Sequence, residues 1–338
     1  MTAFSIVIPT FNRASMLDAI ISSLRSQLDG ASDVEILVCD SDSLDGTAEV
    51  VARHAGQTAS LVKHIQTTNS LSRKRNVGLE AAAHEYVIFL DDDCIPLRGF
   101  LETYRRFVEL RLKDGAKVVL CGETRFPEEW VRASNYYRFR DSRHFSNAEA
   151  EAEQPLDFKT IVAMNMCVRK SQFIEAVQGF DETFIGYGAE DQELGWRLQQ
   201  AGFSVQACPA GAIHHEMSKD IRAFGDKLRR TGRDGALRLL EIAPEAAAAI
   251  PRARMLDPDY PGRSVTDKLV LVAFRTVLAL RLHHPLSWLL IRTDRMQALY
   301  FPTAYRAYMA CCYALGASQR AHRLSAAEAA AGWVGKTH

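Results

Sequence analysis

The sequence has no surplus of either charge: Lys plus Arg and Asp plus Glu each number 41, for a formal net charge of +0. That balance excludes the global positive field by which nucleic-acid binders gather phosphate, so no nucleic-acid partner is expected and any electrostatic function is local. A cysteine framework is also lacking. Cys39, Cys94, Cys121, Cys167, Cys208, Cys311 and Cys312 are odd in number, have no metal-ligand spacing and sit mostly in apolar runs, which reads as reduced core thiols. The opening MTAFSIVIPTFNR has neither a basic segment before its apolar run nor a small-residue cleavage site, so it does not read as a signal peptide and a cytoplasmic location is expected. No uninterrupted membrane-spanning run is present either. LVLVAFRTVLALRLHHPLSWLLI, residues 269–291, is broken by Arg275, Arg281, His283, His284 and Pro285, whereas a span needs about 20 mostly apolar residues. Peripheral contact with the inner membrane face and packing as a buried helix pair both remain open for it. Finally, PTFNR stands after the first apolar run, where a nucleotidyltransferase would carry a Gly-rich phosphate loop.

What is present has the rhythm of an α/β protein. A chain of 338 residues holds one large core plus a smaller appendage, since domains run to about 100–200 residues. Ser5–Pro9 and Glu35–Cys39 read as strands. Between them Leu17, Ile20, Ile21 and Leu24 recur at helix spacing, with the Ser15 hydroxyl as the candidate cap. Further strands are expected at Leu61–Ile65, Tyr86–Leu90, Lys117–Cys121 and Thr160–Arg169, and helices at Ser72–Ala83, Phe100–Leu112 and Asp191–Ala201, the last ended by Gly202. This alternation predicts a mostly parallel central sheet flanked by helices, Rossmann-like, with ligands at the carboxyl ends of its strands. Residues 128–155 have no clear period and read either as a structured acceptor-side excursion or mobile lid, or as a plain surface loop. Beyond Glu216 helix formers dominate, punctuated by Pro244, Pro251, Pro258 and Pro261, so a helical C-terminal region is expected from a boundary near 218. Its first part, 219–238, is locally basic through Lys219, Arg222, Lys227, Arg229, Arg230, Arg233 and Arg238. It suits phosphate or anionic lipid, or else forms a solvated helix face.

Acidic residues gather where the chemistry is expected. Asp91, Asp92 and Asp93 follow a buried apolar strand, and three adjacent carboxylates there repel one another unless a cation intervenes. Strand alternation puts Asp91 and Asp93 on one face and Asp92 on the other, a hard-oxygen site for Mn²⁺ or Mg²⁺. Glu190 and Asp191 open a helix, where an anionic base is stabilised. Before them Gly186 and Gly188 let the backbone approach a bulky ligand, while Tyr187 and Trp196 offer faces for a sugar. Asp40, with Ser41, Asp42, Asp45 and Gly46, can accept from a base or ribose at the second strand end, or can simply form a turn. The charges of Arg73, Lys74 and Arg75, beside Asn76, are placed to reach a nucleotide. His214 and His215, before Glu216, are either core residues or metal ligands.

Taken in order, VIPTFNR, VEILVCDSDSLDGT, SRKRNVGLEAA, YVIFLDDDC and TIVAMNMCVRKSQFIEAVQGFDETFIGYGAEDQELGWRLQQAGF resemble the motifs of the inverting family 2 glycosyltransferases, over residues 4–216. The resemblance implies a GT-A fold on residues 1–218, with a nucleotide-sugar half at 1–95 and an acceptor half at 96–218. It implies that Pro9, Thr10, Phe11, Arg13, Asp40, Asp42, Arg75, Asp91 and Asp92 bind the nucleotide-sugar. Asp93, with Asp91 and His214, would hold Mn²⁺ or Mg²⁺. Asp191, with Glu190, would be catalytic, and Asn165, Tyr187, Gly188 and Trp196 would face a saccharide or lipid-linked acceptor. The turn Asp40-Ser41-Asp42 departs from the family's two adjacent Asp residues and Gly. A non-catalytic carbohydrate-binding protein is the remaining alternative, and the intact acidic sites speak against it.

Overall fold

The computed structural model describes residues 2–28, 33–56, 61–112, 115–143, 155–216, 219–250 and 265–318. These group into two compact units. The first comprises 1–127, 143–182 and 194–216, and the second 128–142, 183–193 and 217–338.

In the first unit the strands are β1 (Phe4–Pro9), β2 (Val34–Asp40), β3 (Leu61–Gln66), β4 (Tyr86–Leu90), β5 (Cys94–Pro96), β6 (Val118–Arg125), β7 (Asn165–Arg169) and β8 (Ser204–His214). They form one sheet in the order β3-β2-β1-β4-β7-β6-β8-β5. The run β3-β2-β1-β4 is parallel, as the alternation requires. β7, however, lies antiparallel to both β4 and β6. Both faces of the parallel half are covered, which is why its strands read as continuous apolar runs. Ile6, Ile8, Ile36, Val38, Ile88 and Leu90 pack on one side with Leu17, Ile20, Ile21 and Leu24. Val7, Leu37, Cys39 and Phe89 pack on the other with Leu79. Each such side chain contributes roughly 1.5–3 kcal/mol on burial.

Several sequence expectations are corrected. Helix α1 (Ala14–Arg25) starts before Ser15 and has no side-chain cap of its own. The Ala14 amide instead donates to Asp45 Oδ2 at 2.8 Å, a partner supplied by the loop after β2. After α2 (Thr47–Ala55), helix α3 (Leu71–Ala81) is capped by Ser70 and begins one residue before the expected start. Helix α4 (Phe100–Arg111) matches its expected range closely. Of the expected strand Thr160–Arg169 only β7 is extended, because Phe158–Thr160 forms a 3₁₀ turn. β6 runs four residues past Cys121, and β5 and β8 have no counterpart in the sequence reading. The segment 128–141 is structured, as α5 (Glu128–Ala133) and α6 (Asn135–Asp141). Residues 144–154 of the aperiodic segment and Pro251, Pro258 and Pro261 lie outside the described residues. Helix α7 (Lys170–Val177) follows β7. Helix α8 (Glu190–Gln200) ends before Gly202, whose φ of +82° suits a residue without Cβ. All seven cysteines are free and buried.

The described C-terminal part of the second unit is helical: α9 (Ile221–Arg230), a π-helical turn over Thr231–Gly235, α10 (Ala236–Ile242), α11 (Pro244–Ala249), α12 (Val265–Ala279), α13 (His283–Arg292) and α14 (Pro302–Ser318). The apolar stretch 269–291 divides into α12 and α13, and among the described residues no helix is long and apolar enough to cross a membrane. Among the described side chains of this stretch, His283 and Ser287 are buried. Leu290 is buried, but Val265, Leu269, Val272, Leu280, Leu282, Trp288 and Leu289 are exposed.

Candidate active site

The acidic triplet stands where β4 gives way to a turn, with the Cys94 amide bonded to the Asp91 carbonyl at 3.0 Å. An extended chain would send alternate side chains to opposite faces; a turn does not. The expected pairing of Asp91 with Asp93 is therefore replaced by one of Asp92 with Asp93. A single guanidinium nitrogen of Arg13 donates to Asp92 Oδ1 and to Asp93 Oδ2, each at 2.8 Å. Asp92 also accepts from the Thr10 hydroxyl at 2.8 Å, which ties the end of β1 to the triplet. Asp91 goes elsewhere, to the buried Arg75 at 2.9 Å. Burial pushes the Asp92 carboxyl up to about 6, even against Arg13 and Thr10. For Asp93 burial pulls the same way but is outweighed by His214 and Arg13, which hold it well below the usual carboxylate range.

His214, at the last position of β8, brings its Nε2 to 3.6 Å from Asp93 Oδ1. That is too long for a hydrogen bond. Phe126 stacks on the imidazole with ring centroids 5.1 Å apart, and the buried Nδ1 has no hydrogen-bond partner. Of the two histidines, His214 turns its ring to the triplet, while His215 contributes its amide to the Asp93 carbonyl at 2.7 Å. Among the described residues no three His, Cys, Asp or Glu side chains converge as a closed metal cage. A carboxylate and an imidazole are what the chain offers, a donor set that fits Mn²⁺ or Mg²⁺ when substrate oxygens and water complete the shell.

Within the basic cluster on α3, Lys74 and Arg75 turn inward and Arg73 reaches outward. Lys74 is buried and donates to the Thr10 carbonyl at 2.7 Å and to Asn69 Oδ1 at 2.9 Å, with Phe11 under its ammonium at 5.4 Å. Burial pushes this lysine down to about 8, despite Asp92 and Asp40 nearby. Arg73 pairs with Glu182 at 3.2 Å, and Asn76 clamps the Phe180 backbone. Asp40, at the end of β2 two strands from β4, is 1% exposed. It accepts from the Ser41 amide, the Ser43 hydroxyl, His64 and Gln66. Its carboxylate organises the turn, where Asp42, at φ +54°, and Asp45 are the exposed acids. Pro9 is buried in β1.

On the acceptor side the residues divide. Asn165 is buried in the core: it accepts from the Tyr104 hydroxyl at 2.7 Å and donates to the Glu123 and Ala210 carbonyls at 3.0 and 2.8 Å. It staples the sheet rather than facing a ligand. Trp196, half-buried, packs edge-on against Phe158 at 5.4 Å. Glu190 and Asp191 open α8 within the second unit, each half-buried. The glycines before them approach the protein itself and not a bulky ligand. A Cβ on Gly186 would lie 2.2 Å from Asp234 Cβ, one on Gly188 2.7 Å from Thr231, and one on Gly235 1.8 Å from the Gly188 carbonyl oxygen. The loop is thus docked on the π-helical turn. Tyr187, 43% exposed, has Lys227 and Arg230 at 6.0 and 5.7 Å from its ring. Phe126 was missed by sequence reasoning, since nothing local marks it as a neighbour of His214.

Comparison with known proteins agrees with this architecture. The model of glycosyl transferase family 2 matches residues 5–174, and that described as the N-terminal domain of galactosyltransferase matches residues 143–220. Glycosyltransferase AglE of Haloferax volcanii is 32% identical over 240 residues, covering 68% of this chain and 71% of AglE. Chondroitin synthase of Escherichia coli is 26% identical over 246 residues, covering 63% of this chain and 34% of the synthase. The chain spans only about a third to a half of the length of several curated relatives it matches. Among solved structures, mannosyltransferase PcManGT from Pyrobaculum calidifontis has a TM-score of 0.53 at 18% identity, over 94% of this chain and 88% of that one. S. aureus TarS has a TM-score of 0.51 at 17% identity, over 94% and 90%. With half its residues matched by the family model and two thirds aligned to AglE, this chain belongs to glycosyltransferase family 2 and carries the GT-A fold.

Proposed function

We propose that the chain moves a sugar from a nucleotide diphosphate-sugar, a UDP-sugar being favoured, to an acceptor hydroxyl with inversion at the anomeric carbon. The approach of the His214 imidazole to the Asp93 carboxylate carries this reading, because it pairs two donor types that together can hold a divalent cation shared with a diphosphate. Asp93 and His214 would hold Mn²⁺ or Mg²⁺, Asp91 would serve ribose or the ion, and Pro9, Thr10, Phe11, Arg13, Asp42 and Arg75 would frame the nucleotide. When bound, such a cation neutralises the charge developing on the leaving diphosphate. Asp191, supported by Glu190, would take the proton of the acceptor hydroxyl as its oxygen attacks the anomeric carbon and the bond to the diphosphate breaks. The titles of the neighbouring structures support the ligand class: PcManGT is in complex with GDP-Man and Mn²⁺, and TarS with UDP and UDP-GlcNAc.

In this reading residues 1–95 serve the donor, 96–218 the acceptor, and the described helices from 219 onward lie at an inner membrane face. The exposed Leu269, Val272, Trp288 and Leu289 stand among exposed Lys268, Arg281, Arg292 and Arg295, the composition of an interfacial helix on anionic lipid. The acceptor is a glycan or a lipid-linked saccharide. The test is a panel of UDP-, GDP- and dTDP-sugars, each with and without Mn²⁺, read by hydrolysis and direct binding. Metal-dependent use of one donor is expected; failure of every donor to bind with metal present sinks the reading.

A further inference from the structure

Two guanidinium groups serve three consecutive carboxylates. Arg75, 1% exposed, is committed to Asp91. Arg13 divides one nitrogen between Asp92 and Asp93 and keeps 32% of its side chain exposed. Across these five groups the formal charge is a single negative one, and one oxygen of Asp93 is already engaged. The other oxygen faces His214. Of the two arginines only Arg13 lies open enough to exchange partners toward a ligand.

We infer that Arg13 competes with the divalent cation for the Asp92–Asp93 pair, so that the protein takes up metal together with a diphosphate and only weakly without one. The inference rests on the transferase reading above. A diphosphate supplies what the exchange needs, since its oxygens accept the planar guanidinium donors as well as a carboxylate does. Asp93, relieved of its internal partner, would then be free to hold a divalent cation shared with the diphosphate. Arg13 is in this sense a residue that sets the order of binding. Asp92, buried against Thr10, returns Arg13 to the carboxylates when the nucleotide leaves.

The experiment measures Mn²⁺ affinity of the full chain by calorimetry and by the paramagnetic signal of free Mn²⁺, with and without UDP or GDP. Wild type and R13Q are compared, and R13K serves as the charge-retaining control. Wild type is expected to bind Mn²⁺ at least about tenfold more tightly with nucleotide than without, and the nucleotide more tightly with Mn²⁺ by the same factor. R13Q is expected to bind Mn²⁺ alone about tenfold more tightly than wild type and to lose most of that coupling, with R13K between them. Mn²⁺ binding by R13Q equal to or weaker than that of wild type overturns the inference. So does a wild-type affinity indifferent to nucleotide, an outcome that needs no variant to fold. The R13Q result does not touch the transferase reading, which fails separately if no nucleotide binds in the presence of Mn²⁺.

Discussion

The ammonium of Lys74 donates to the carbonyl oxygen of Thr10 at 2.7 Å, so a buried cation on α3 holds the end of β1, the residue whose hydroxyl in turn reaches Asp92. The folded protein releases the Lys74 proton near pH 8, whereas a free lysine keeps it to 10.5. Because the unfolded chain binds the extra proton across that interval, the contribution of Lys74 to stability rises with pH from about 8 to 10.5, by at most about 3 kcal/mol. K74M removes this contribution. Urea unfolding of both proteins between pH 7 and pH 10 is expected to show wild type gaining stability relative to K74M as pH rises above about 8, the difference isolating Lys74 from the buried thiols, which pull the other way.

Asp93 and Asp191 divide the labour in the proposed reaction, and their variants separate it. D93A is expected to lose Mn²⁺-dependent nucleotide binding. D191N is expected to bind donor and metal as wild type does while transfer falls by roughly 10²- to 10⁴-fold, the span typical of a lost general base. Calorimetry for binding and product assay for transfer check the pair. Equal residual transfer in both variants and wild type would remove both roles.

Asn165 offers a contrast between structural and chemical importance. N165L leaves the Glu123 and Ala210 carbonyls without their donor and Tyr104 without its acceptor, all buried. A loss of about 3 kcal/mol in stability is expected. Donor KM, measured well below the lowered melting temperature, is expected to stay within about twofold of wild type, because the side chain is placed in the core and not on a ligand.

The contact of Gly235 with the Gly188 carbonyl predicts a packing defect that acts on the acceptor loop. With a Cβ meeting that oxygen at 1.8 Å, G235A must shift backbone and not a pliable side chain. About 2 kcal/mol of destabilisation is expected, as for other overpacked sites. Hydrogen exchange is expected to rise in residues 183–193, the segment grouped with the π-helical turn.

Trp288 and Leu289 are exposed on α13 beside Arg292, whose guanidinium lies 5.5 Å from the Trp288 ring. Flotation with vesicles rich in phosphatidylserine is expected to carry the wild-type chain, to weaken in high salt and to fail for a W288S/L289S variant. Flotation unchanged in that variant would contradict the membrane reading.

The parallel half of the sheet was legible because periodicity alone encodes it. Ile6, Ile36 and Ile88 fall in uninterrupted apolar runs only where helices cover both faces of the strands. The later strands were less legible: β7 is short and reversed, and β8 interleaves Gln206 and Gly211 with apolar residues, so no single period announces it. The acidic triplet was visible as a cluster, but its internal pairing was misread, since a turn and a strand end look alike in sequence.

The sequence by itself determined the identity of the ionisable groups, Asp91 to Asp93, Arg13, His214 and Asp191, and the family order of the motifs that carry them. Tertiary structure decided which of those groups meet. His214 comes to Asp93 only because β8 returns beside β6 and pairs with β5, and Lys74 and Arg75 turn inward only because α3 packs against β1 and β2. Residue type sets what a side chain can do, but a charge finds its partner across more than a hundred residues by folding, and no local pattern records that distance.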